Sequence, residues 1–185
     1  ADIRVLLREG EALLLNGRTA EAEALFRGEV LGESKDSARS HQVSDVYLAV
    51  GALSESAGRL DEAETHLKAS IEWNPVNSSA LNYLGFMLAD RGVRLDEAIM
   101  YIGLALERDP GNGAYLDSLG WAYFKRGDYA RAETLLVQAA TVMAQESEIH
   151  DHLGDLYRAM GRTEEAVKAW QEALDHGAAK ADAIQ

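Results

Sequence analysis

The stretch Leu116-Asp117-Ser118-Leu119-Gly120-Trp121-Ala122-Tyr123, followed by Gly127, Ala132, Leu136 and Ala139, decides the fold. Its apolar residues recur at three and four, the spacing of one helical face, before and again after Gly127. A glycine lies in mid-helix (Gly120) and a second at the break (Gly127), seven residues on. The same pair recurs as Gly10/Gly17, Gly51/Gly58, Gly85/Gly92 and Gly154/Gly161. The break glycines are spaced by 41, 34, 35 and 34 residues, and an alanine follows each by five residues, or by six in the third case. A fixed period in this range marks a stack of supersecondary units. Each unit is too small to bury its own face and gains stability from its neighbours.

Working outward, the only prolines, Pro75 and Pro110, sit where one unit hands over to the next. There they stop a helix, and Asn77 and Asn112 are placed to cap the following one. Small residues at the mid-helix positions let two antiparallel helices approach, and the break glycine suits a left-handed turn. Thr19, Asp61, Asp128 and Thr163 are the expected caps of the second helices.

These residues resemble the signature of the tetratricopeptide-repeat (TPR) family. His152-Leu153-Gly154-Asp155-Leu156-Tyr157 with Gly161, Ala166, Trp170 and Ala173 fits nearly as well as the fourth unit. The first unit departs, with Glu9 where an apolar residue is usual and Glu29 where a small one is. The resemblance implies an all-α, right-handed α-α superhelix (solenoid) of about five helix-turn-helix repeats in one domain over residues 1–185. The repeats are 3–36, 44–77, 78–112, 113–146 and 147–180, with an irregular insert at 37–43. The surplus from Lys35 to Val43 is about two helical turns, and reads either as an extended helix or as a hinge. The last eight residues make a poor capping helix.

In this family the first helix of each unit lines the concave surface. The resemblance thereby implies a groove lined by Asn82, Tyr83 and Phe86, by Asp117, Trp121, Phe124 and Lys125, and by Asp151, Asp155 and Arg158. Tyr83, Phe86, Trp121 and Phe124 then form an aromatic cluster open to a ligand, of hot-spot composition. In such a site Trp121→Ala weakens binding and leaves the fold intact. Trp73 and Trp170 fall at core positions. The carboxylates disfavour an anionic tail, so the expected partner is an apolar or amphipathic peptide or helix with Lys or Arg to meet Asp117, Asp151 and Asp155. The function implied is a protein-interaction scaffold or adaptor. The alternative is a self-assembling module whose uncovered terminal repeats build homo-oligomers.

Composition narrows the other classes. A net charge of −13 opposes phosphate, which argues against nucleic acid and anionic membranes as partners. Cysteine is absent, removing thiolate chemistry and disulfides. No apolar run is long enough to span a bilayer. Residue 1 is Ala and no signal peptide is recognised, as in a mature or excised chain. The middle repeats resemble those of bacterial envelope repeat lipoproteins, yet the compartment stays open. His150, Asp151, His152 and Asp155 are the one metal-like grouping, but residues two apart on a helix diverge by about 200°. Neither a phosphate loop nor a nucleophile elbow is present. The expectation is no cofactor and no catalysis.

Overall fold

The computed structural model describes residues 2–31 and 37–177. Among the described residues there are ten α-helices and no strand. The helices are α1 (Ile3–Leu15), α2 (Thr19–Leu25), α3 (Ser37–Ser56), α4 (Leu60–Trp73), α5 (Ser78–Asp90), α6 (Leu95–Arg108), α7 (Gly113–Arg126), α8 (Tyr129–Val142), α9 (Ser147–Ala159) and α10 (Thr163–Asp175). A π-helical stretch, Phe26–Leu31, continues α2. Two compact units divide the chain, Ala1–Leu84 and Gly85–Gln185.

Small residues set the pairing within each hairpin. A side chain added at Gly120 would put its Cβ 2.7 Å from Leu136 Cγ, well inside contact distance. Leu136 lies sixteen residues on, and the same interval joins Gly10 to Phe26, Gly51 to Leu67 and Gly154 to Trp170. Only Gly85 meets a residue seventeen on, Ile102, because the third repeat has one extra residue in its turn. That turn contains Arg94 in the left-handed region, φ 48°, the lone non-glycine with positive φ among the described residues. Gly92 of the same turn is left-handed too, at φ 66°, as is the break glycine of each other turn, such as Gly127 at φ 85° between α7 and α8.

In the first unit the core joins Leu6 and Leu14 of α1, Ala22 of α2, Phe26 and Val30 of the π stretch, and Val43, Tyr47 and Val50 of α3. Residues 37–43 are helical and extend α3 at its start. The extension is anchored where Val43 is fully buried and Arg39 donates to the Val30 carbonyl at 2.9 Å. Lys35 and Asp36, and the tail from 178, lie outside the described residues. A buried polar knot ties α3, α4 and the start of α5: Ser44 Oγ donates to the Ser70 carbonyl, Ser70 Oγ to the Ser44 carbonyl, each at 2.8 Å, and Asn77 Nδ2 to Ser44 Oγ at 2.9 Å. Each group has a partner, as burial demands.

In the second unit, Leu136, Leu153, Leu156 and Ala169 form one cluster and Leu116, Ala139 and Ile149 another. Asn77 and Asn112 cap as expected, accepting from the backbone N–H of Ala80 (3.1 Å) and Tyr115 (3.2 Å). The second helices differ from expectation. Asp128 does cap α8, accepting from Arg131 N–H at 3.3 Å. Thr19, Asp61 and Thr163 instead lie inside the first turn, and the cap residues are Arg18, Arg59 and Arg162. Each arginine reaches a glutamate three residues on: Glu21 at 2.6 Å, Glu62 at 2.8 Å, and Glu165. That glutamate places its charge near the helix N-terminus, where the dipole favours it.

Candidate partner-binding site

Helices α7 and α9 are the first helices of consecutive repeats, and they carry most of the expected groove residues. Trp121 of α7 is their centre. Its indole is stacked on the His152 imidazole of α9, with centroids 4.1 Å apart and planes at 16°. On α7 itself the Phe124 ring stacks at 4.9 Å, one turn away. Lys125 Nζ stands over the indole at 5.1 Å, in cation–π range. The Trp121 Nε1–H donates to Asp90 Oδ1 of α5 at 3.3 Å. Phe86 of α5 completes the nest, 6.4 Å from His152.

Beneath the rings lies an ion pair. His152 Nδ1 stands 2.9 Å from Asp117 Oδ1, and both residues are 6% exposed. Burial alone would disfavour the imidazolium. The hydrogen bond and charge of Asp117 outweigh it, helped by Glu148 and Asp151, and hold the His152 pKa above its ordinary value. A carboxylate this deep needs a donor, and the imidazole supplies it while lying flat under the indole.

This placement corrects two expectations. Trp121 is not open to a ligand: it is 7% exposed, closed over by His152, Phe124 and Lys125. Asp117 does not await a partner's cation, because His152 already holds it. Phe86 and Phe124 remain half-buried, and Asp90 is exposed. Along α9, Asp151 and Asp155 are half-buried, while Arg158 is exposed, 3.7 Å from Asp155 and 5.6 Å over the Trp170 ring. Asn82 and Tyr83 belong to the first unit. Tyr83 donates to Glu55 at 2.5 Å, and burial, then that carboxylate, pushes its pKa up to about 12. Asn82 keeps its Oδ1 buried.

His152 and Asp90 matter here through the contacts they make with Trp121. Both stand at lining positions of the repeat, and nothing in the spacing shows that the His152 ring stacks on Trp121. The two neighbouring histidines do diverge: His150 Nε2 turns to the Ala144 carbonyl at 2.8 Å, away from Asp117.

Residues 3–27, 55–113, 113–146 and 147–177 each match the tetratricopeptide-repeat family. The chain belongs to that family. Solved structures agree in fold. MamA from Desulfovibrio magneticus RS-1 aligns over 95% of this chain and 96% of its own at 17% identity, with a TM-score of 0.66. MamA of AMB-1 aligns over 92% and 96% at 23% identity, with a TM-score of 0.62. MamA of MSR-1 aligns over 95% and 97% at 24% identity, with a TM-score of 0.59. At such identities the likeness shows the fold, of the all-α solenoid class. No match was found among curated proteins. TPR arrays are protein-interaction modules rather than catalysts, so this chain is a protein-interaction scaffold with protein partners. No helix among the described residues is long and apolar enough to cross a membrane.

Proposed function

We propose that the scaffold grips an apolar or amphipathic segment against the α7–α9 face, with Trp121 as its rigid floor rather than its exposed anchor. One observation carries this reading: half-buried Phe124 stacks on an indole locked by His152 and Lys125, and half-buried Phe86 packs on the same His152. Aromatic anchors that lose little freedom on binding give the most affinity per contact. Asp90 on α5 and Asp151 and Asp155 on α9 make these helices acidic, which favours a segment bearing Lys or Arg.

The test uses the partner that the native protein retains from its own organism. Phe124→Ala trims the half-buried anchor and is expected to weaken binding by about 2 kcal/mol, the hot-spot scale, while the helical circular dichroism stays unchanged. Val137→Ala, on the exposed side of α8, serves as control. Equal affinity for parent and Phe124→Ala removes this reading.

A further inference from the structure

A second surface lies in the first unit, where α1, α2 and the π stretch leave a cleft of about 580 Å³. Ala12, Leu13, Ala24 and Leu25 form its apolar part, and Glu9 and Glu29 stand in its walls. Arg18 and Glu21 also border it but neutralise each other at 2.6 Å. Glu9 and Glu29 have no ion-pair or hydrogen-bond partner among the described residues, so the cleft carries two uncompensated negative charges.

The fourth repeat presents the same face without the two charges. Counting from Gly10 and Gly120, Glu9 corresponds to Leu119, Leu13 to Tyr123, Leu25 to Leu135 and Glu29 to Ala139. In the fourth repeat Leu119 and Ala139 are buried, and Leu119, Tyr123 and Leu135 line an apolar cleft of about 480 Å³. This register position is therefore an open apolar cleft between the paired helices of a repeat. In the first repeat both buried apolar positions are replaced by glutamate, and the second is carried on a π-helical stretch, a geometry that recurs at functional sites.

We infer that this cleft docks an amphipathic helix of a second polypeptide, whose apolar stripe is flanked by Lys or Arg. An uncharged or acidic helix laid there would desolvate Glu9 and Glu29 without return, whereas a basic one pairs them. The cleft belongs to the first unit and the α7–α9 face to the second, so the two are formed by different residues.

Two synthetic helical peptides test this. They share one Leu/Ala stripe and differ only in flanking residues, Lys in one and Glu in the other. By fluorescence anisotropy the parent binds the Lys peptide and not the Glu peptide. Glu9→Lys with Glu29→Lys weakens the Lys peptide at least about tenfold and gains the Glu peptide. Glu107→Lys with Glu164→Lys changes net charge equally at exposed positions and keeps the parent's preference. Parent binding to neither peptide, or equal loss in both double variants, overturns the inference. So does concentration-dependent dimerisation of the parent that Glu9→Lys with Glu29→Lys abolishes, which makes the occupant a second copy. Thermal melts show that both variants fold.

Discussion

Each of the two units wraps aromatic rings around one carboxylate, and the two nests differ in what the carboxylate holds. In residues 1–84 Glu23 accepts from Tyr47 Oη at 2.6 Å and Trp73 Nε1 at 3.3 Å, with Phe26 edge-on to both rings. In residues 85–177 Asp117 accepts from His152, which lies under Trp121. The first nest uses donors that stay neutral across physiological pH: burial, then Glu23, pushes the Tyr47 hydroxyl far above its ordinary value. The second uses an imidazole, the side chain that titrates in that range. The same packing device is thus inert to pH in one unit and responsive in the other.

The comparison breaks most visibly at the rings. Trp121→Ala removes the floor shared by His152, Phe124 and Lys125, and is expected to cost about 3–5 kcal/mol in denaturant unfolding. A loss below about 1 kcal/mol would mean that the indole is not packed as described. Gly120→Leu drives a branched side chain into Leu136, and a loss of about 1–3 kcal/mol is expected in the same assay.

The pH response sharpens the contrast. His152 has a folded pKa raised above the unfolded value of about 6.5. Its contribution is fully present below that value and is lost as pH rises through the folded pKa. Stability measured from pH 5 upward should therefore fall across this window in the parent, and Asp117→Asn should flatten the fall. Tyr47→Phe should instead lower stability by about 1 kcal/mol, equally at every pH between 5 and 8.

The smallest effects concern the helix starts. Asp128→Ala deletes a side-chain cap and should lower the melting temperature by the equivalent of about 1 kcal/mol. Arg59→Ala removes an exposed ion pair, and only a few tenths of a kcal/mol are expected. Equal losses would show that the arginine caps contribute more than their exposure allows.

Most of the architecture was legible because it depends on size and period. Gly154 announces the close pass of Trp170, and Gly127 the left-handed turn, without reference to any distant residue. The capping pattern was less legible: Thr19 and Thr163 have cap-forming side chains, yet the helices start one residue earlier at arginines whose partners lie in the first turn. The site was legible as a set of positions and not as a geometry. Period places Trp121 and His152 on the facing helices of adjacent repeats. It does not say whether the rings turn outward or lie on each other, which depends on Asp117 pulling the imidazole inward. For residues 35–43 the sequence put an extended helix slightly ahead of a hinge, and from Ser37 onward the chain is helical with Val43 buried.

Three indole N–H groups, those of Trp73, Trp121 and Trp170, give the most direct test of the α7–α9 face. In two-dimensional NMR of the labelled protein titrated with its retained partner, the Trp121 resonance should shift while those of Trp73 and Trp170 stay in place. A Trp121 resonance that holds still at saturation, with Trp73 or Trp170 moving instead, would contradict the account.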